Sequence, residues 1–138
     1  MGGSGTWALA AASAKRKSPK FAAIAPVCGW VDGGKRKLDE VAGAIKDERM
    51  GVWIWHAVND ETIPVEASDD MNRTLAEHAV QVKYSRLPHS AGSDPNWINF
   101  GMGGLHMEGH ASWVDAYEKS GEELWKWFLG HKRSSNNA

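Results

Sequence analysis

Two hydrophobic rhythms alternate along this chain. Met1-Gly2-Gly3-Ser4-Gly5-Thr6-Trp7 runs into an alanine-rich stretch, and residues 3–15 read as a helix. Its glycines let the backbone turn sharply and approach whatever lies beneath. Lys15, Arg16 and Lys17 suit its C-terminal end, and Ser18-Pro19 stops it. Phe21-Ala22-Ala23-Ile24-Ala25-Pro26-Val27 is apolar without alternation, which fits a strand buried on both faces. Leu38, Val41, Ala42 and Ile45 fall at i, i+3, i+4 and i+7, one face of a second helix.

Val52-Trp53-Ile54-Trp55 reads as a second buried strand. It ends in the polar loop His56-Ala57-Val58-Asn59-Asp60, closed by Pro64. Ala67, Met71, Leu75 and Ala79 repeat every four residues and give a third helix its apolar stripe. Val80 to Leu87 alternates, with Val82 and Tyr84 on one face and Lys83 and Ser85 on the other, as in a strand near a sheet edge. Residues 88–111 form a long loop rich in Gly, Asn, His and Ser, with 89–107 read as a long loop insertion. Ser112-Trp113-Val114-Asp115 and Ser120-Gly121-Glu122-Glu123 both fit capping boxes. The second opens a final helix with Leu124, Trp125, Phe128 and Leu129 inward. A polar tail begins at His131, with 134–138 expected to be disordered.

Strands alternating with helices imply a parallel sheet with right-handed crossovers, here one three-layer α/β/α domain over residues 1–133. Sites in such sheets form at the carboxyl ends of the strands. That rim holds Asp60 after the second strand, His110 in the loop after the third, and the turn around Met1.

Composition narrows the possibilities. A formal net charge of -1 over 138 residues gives no basic surface for nucleic acid. No apolar run is long enough to span a membrane. Cys28 is the single cysteine, so no disulfide forms within the chain, and a reducing, cytoplasmic setting is the expectation. The 8 tryptophans are many for this length, and most are expected in the core.

Among residues that can carry chemistry, Asp60 and His110 stand out. A buried carboxylate holds an imidazole in one tautomer, and the imidazole takes a proton from a hydroxyl nucleophile. The plainer alternative makes Asp60 a helix cap and His110 a loop residue. Ser4 fails as the nucleophile of a G-x-S-x-G turn, because Thr6 stands where the last glycine is needed. Cys28 reads as a buried structural thiol. His106-Met107-Glu108-Gly109-His110, with His89 and Asp94 upstream, invites a metal reading. It is not the H-E-x-x-H helix, and no metal is expected. His56 and His78 read as structural and surface residues. Met1-Gly2 with Thr6 matches the loose N-myristoylation pattern, a minor rival.

Three segments resemble the C-terminal half of an α/β-hydrolase of the phospholipase/carboxylesterase and dienelactone-hydrolase-like group. Met1 to Trp7, with Phe21 to Gly29, is similar to the segment just after the nucleophile in G-x-S-M-G-G-x-G-T-W. His56 to Asp60, with Ile63-Pro64 and Ser68, resembles H-G-x-x-D-x-x-V-P-x-x-x-S, although Ala57 replaces the glycine. Gly109-His110-Ala111-Ser112-Trp113 resembles G-H-x-S-W. The resemblance implies the last three parallel strands of that fold, a triad acid at Asp60 and a triad histidine at His110. It places an oxyanion-hole backbone N–H at Met1, and it implies no cofactor. Trp30 and Trp113 are expected to shape a pocket for a small-molecule ester.

In that family the nucleophilic serine immediately precedes the residue matching Met1. The chain is therefore expected to supply the Asp and His of a serine carboxylesterase and to be inactive alone. It is expected to pair with an N-terminal half, or with itself, through an open sheet edge. The alternatives are a non-catalytic hydrolase-like binding domain and a truncated gene product.

Overall fold

A computed structural model of the chain describes residues 1–16, 21–90 and 109–133. Most of the expected 89–107 loop, with Asp94, His106 and Glu108, lies outside them, as does the 134–138 tail. The elements run α1 Gly2–Ala14, β1 Ala23–Ile24, α2 Gly34–Asp47, β2 Gly51–Ala57, α3 Glu66–Glu77, β3 Val82–Leu87, α4 Ser112–Val114, a π-helical turn Asp115–Lys119, and α5 Glu123–Leu129. The three strands are parallel in the order β1-β2-β3.

β2 shows why the sheet is covered on both sides. Val52 and Ile54 point into one cluster with Trp7, Ala10 and Ala11 of α1, Val41, Ala42 and Ile45 of α2, and Met71 and Leu75 of α3. Trp53 and Trp55 point the other way, onto Ala116, Leu124, Trp127 and Phe128 of the C-terminal helices. Successive side chains of a strand face opposite ways, so one apolar run feeds two cores. The result is the expected three-layer α/β/α arrangement. Among the described residues β3 is an edge strand, as its alternation requires. Lys83 lies 3.4 Å above the Trp53 ring, and Ser85 Oγ accepts the Trp53 indole N–H at 2.9 Å.

The expected strand at 21–27 is regular only at Ala23–Ile24. Pro26 has no N–H and breaks the ladder, yet pairing with β2 continues on either side of it. Pro26 O accepts the Trp55 N–H at 3.0 Å, and the Cys28 N–H donates to Trp55 O at 2.9 Å. The chain thus stays against β2 until it reaches the rim.

The C-terminal region departs from expectation. Neither Ser112 nor Ser120 caps a helix: Ser112 Oγ donates back to Gly109 O at 3.3 Å, and Ser120 Oγ to Ala116 O at 2.6 Å. The π-helical turn between them rotates the phase of α5. There Leu124 is buried as expected and Phe128 is half-buried. Trp127 takes the inward place, whereas Trp125 and Leu129 are 50% and 77% exposed.

Ala79 is also corrected. α3 ends at Glu77, and Ala79 lies beyond it at φ 58°, exposed. Its N–H donates to Ala76 O and the Val80 N–H to Leu75 O, both at 2.9 Å, so a Schellman turn closes the helix. Val80 then packs on the first core in place of Ala79. A left-handed alanine costs about 1–2 kcal/mol relative to glycine. Glycine gives back about 0.4–1 kcal/mol through the freer unfolded chain. Ala79→Gly is expected to stabilise the fold by about 0.5–1 kcal/mol, read as a higher urea midpoint with unchanged slope.

Candidate active site

The rim is assembled by three close backbone approaches. A Cβ on Gly3 would stand 2.1 Å from Val27 O, and one on Gly29 2.6 Å from Gly3 C. Only glycine lets the first turn of α1 lie on the 27–29 segment. A Cβ on Gly109 would stand 1.9 Å from Asn59 O, and Gly109 has φ +75°. That glycine seats the segment before α4 on the turn after β2, which sets His110 against Asp60.

Asp60 is held from every side. Its Oδ1 accepts the backbone N–H groups of Thr62 and Ile63, both at 2.8 Å, which closes an Asx turn. Its Oδ2 is 2.9 Å from His110 Nδ1 and 3.1 Å from His56 Nε2. The Asp60 and His56 side chains are wholly buried, and that of His110 is 12% exposed. Burial works against the Asp60 charge. Hydrogen bonds from His110, His56 and the Ile63 N–H outweigh it and hold the carboxyl well below the usual carboxylate range.

His110 faces a cleft of about 270 Å³ lined also by Met1, Gly2, Thr6, Cys28, Trp113 and Tyr117. The Trp113 ring stands edge-on to the imidazole, with centroids 5.7 Å apart. Met1 lies in the same wall as the N-cap of α1, where the helix dipole favours negative charge. Trp30 lines a neighbouring groove beside α1 and α2, and its backbone N–H donates to Ser4 Oγ at 3.1 Å. Ser4 therefore braces the contact between α1 and the 28–31 segment. Tyr117 carried no signal in the sequence: the π-helical turn that brings it to the cleft has no hydrophobic period of its own.

Cys28 sits at φ 49°, with its S–H donating to His110 O at 3.1 Å. Burial pushes its thiol up to about 11; a hydrogen bond with Ser112 opposes the rise, and the Asp60 charge adds to it. Cys28, His56 and Asp60 bring one ligand atom each within 4.8 Å of one another. Each is already engaged within the protein: the Cys28 S–H with the His110 carbonyl, and His56 Nε2 with two acceptors, Asp60 Oδ2 and Ile63 O (3.0 Å), so that nitrogen carries a proton. His78, expected at the surface, is half-buried and meets Asp39 Oδ1 at 3.0 Å.

Neither a known family model nor a curated protein matches the sequence. Solved structures do match. Over 96% of its length the chain superposes on a thermostable esterase with a TM-score of 0.67 and 26% identity, and it spans 29% of that protein. Over 94% of its length it superposes on a protein of Klebsiella pneumoniae described as a dienelactone hydrolase, with a TM-score of 0.51 and 16% identity, spanning 47% of it. The chain thus spans less than half the length of either structure, and the second likeness is one of fold alone. What is shown is a partial α/β-hydrolase fold.

The lowered carboxyl of Asp60 links this site to stability. Unfolded, Asp60 takes a proton near pH ~3.9; folded, it resists until lower pH. Its contribution is complete above that unfolded value and is lost as pH falls toward the folded one. Asp60→Asn is expected to lower stability at neutral pH and to flatten the acid limb of the stability–pH curve below pH ~4, measured by urea unfolding.

Proposed function

We propose that this chain supplies the acid and base of a serine carboxylic-ester hydrolase. The observation that carries the reading is the bond between His110 Nδ1 and Asp60 Oδ2 beside a cleft that also includes Met1. With Nδ1–H given to the carboxylate, Nε2 of His110 is the free base. It takes a proton from a serine hydroxyl as the oxygen attacks the ester carbonyl, then returns it to the leaving alcohol. Asp60 orients the ring and stabilises the imidazolium. The oxyanion would form at the start of α1, against the backbone N–H of Met1 and the positive end of the helix. Trp113 shapes the substrate side of the cleft; Trp30 would serve a substrate group reaching the adjoining groove.

The nucleophile is assigned to a serine joined ahead of Met1. Two observations support this. Among the described residues lining the cleft, the hydroxyl groups are those of Thr6 and Tyr117, and Thr6 Oγ1 donates to Gly2 O at 2.9 Å. α1 is apolar on every side, yet its outer side is open, with Leu9 59% exposed. A helix of that kind is ordinarily covered. The cover proposed is the nucleophile-bearing N-terminal half, which would also extend the sheet at the free edge of β1. Self-association over the same face is the alternative for the chain alone. No helix among the described residues is long and apolar enough to cross a membrane.

Turnover of short-chain p-nitrophenyl esters is the test. The 138-residue chain alone is expected to show none above buffer. In a form carrying a G-x-S segment ahead of Met1, His110→Ala is expected to lower kcat by about 10⁶-fold and Asp60→Asn by about 10⁴-fold. Turnover by the isolated chain that His110→Ala abolishes would contradict the proposed division of labour.

A further inference from the structure

His56 does more than fill a core position. It leaves β2 on the side of the first core and is wholly buried. Its two ring nitrogens each have a defined task. Nε2 is 3.1 Å from Asp60 Oδ2 and 3.0 Å from Ile63 O. A carbonyl only accepts, and the carboxylate is ionised, so the proton of neutral His56 is on Nε2 and is shared between them. Nδ1 is then the acceptor, and the Ser68 hydroxyl donates to it at 2.7 Å. Ser68 lies in α3 with no exposure. The two acceptors at Nε2 therefore fix the tautomer, and the Ser68 hydroxyl, donating to Nδ1, holds the ring in the orientation that aims Nε2–H at Asp60.

We infer that His56, locked by Ser68, is a positioning residue that tunes the bond between Asp60 and His110. This rests on the reading of Asp60 and His110 as the acid–base pair. The tuning arises from competition. Oδ2 accepts from two imidazoles at once, His110 at 2.9 Å and His56 at 3.1 Å. Two donors on one oxygen draw on the same charge, so each weakens the other's bond. The geometry of the carboxylate itself is secured separately, because Oδ1 is pinned by the Thr62 and Ile63 N–H groups. Loss of the His56 donor should thus leave Oδ2 in place and give His110 the oxygen to itself. The His56 N–H also ties the Ile63 carbonyl, so α3, the 60–63 turn and the acid move as one piece.

The experiment is proton and nitrogen NMR of the ¹⁵N-histidine-labelled chain, with circular dichroism confirming the fold of each variant. In the unmodified chain His56 is expected as the Nε2–H tautomer. His56→Phe removes the donor and is expected to move the His110 Nδ1–H proton downfield. His56→Gln keeps an N–H within reach and is expected to return it toward its original place. Ser68→Ala, a smaller change should His56→Phe not fold, is expected to loosen the His56 ring, weaken its bond to Asp60 Oδ2 and move the His110 proton in the same downfield direction.

A His56 Nδ1–H tautomer overturns the proposal, as does a His110 proton unmoved by both His56→Phe and Ser68→Ala. If His110 shows no Nδ1–H bond that Asp60→Asn removes, the acid–base reading falls and this inference falls with it. If that bond is present and insensitive to His56 and Ser68, only the inference falls.

Discussion

A single buried carboxylate ties this rim together. Asp60 is a charge with no exposed side-chain surface, and such a charge is tolerated only where donors replace its water. Four do so: the Thr62 and Ile63 amides, His56 and His110. They come from the turn after β2, from β2 itself and from the segment before α4. Satisfying this one group therefore joins the end of the central strand to the last quarter of the chain. Remove the carboxyl group and each of those donors loses its acceptor at once, which makes the rim cooperative.

Glycine makes the joining possible. Gly109 lies on the Asn59 carbonyl at a distance no side chain survives, and its positive φ turns His110 inward. Gly3 and Gly29 do the same for the start of α1. The first turn of that helix, the Asp60 carboxylate and the His110 imidazole are thereby gathered around one cleft. Cys28 completes the wall. Its strained backbone and its bond to the His110 carbonyl fix the floor, and burial keeps the thiol protonated and unreactive.

Much of this was legible in the sequence because it depended on period and order. The unbroken Val52-Trp53-Ile54-Trp55 run announced a strand with two buried faces, and the i, i+3, i+4 pattern of Leu38 to Ile45 announced its covering helix. Strand order alone put Asp60 and His110 on one rim. The features that were not legible depended on local geometry without a period. α5 has seven residues, too few for a pattern to choose between Trp125 and Trp127, and the π-helical turn before it shifts the phase. The serines at 112 and 120 look like caps but bond backward to carbonyls. Ala79 matched a stripe that the chain leaves by a left-handed turn. His56 looked like a filler of core space; only the positions of Asp60 Oδ2 and Ile63 O reveal which nitrogen bears its proton.

The pairing of Asp60 with His110 is best tested by long-range proton–nitrogen correlation of the His110 ring in the unmodified chain and in Asp60→Asn, in mildly alkaline buffer. The expected result is one neutral tautomer with the proton on Nδ1, its resonance far downfield, replaced in Asp60→Asn by a mixture that exchanges with water. A His110 ring that shows the Nε2–H form, or the averaged signals of a solvent-exposed histidine in both proteins, would contradict a preformed acid–base pair in this chain.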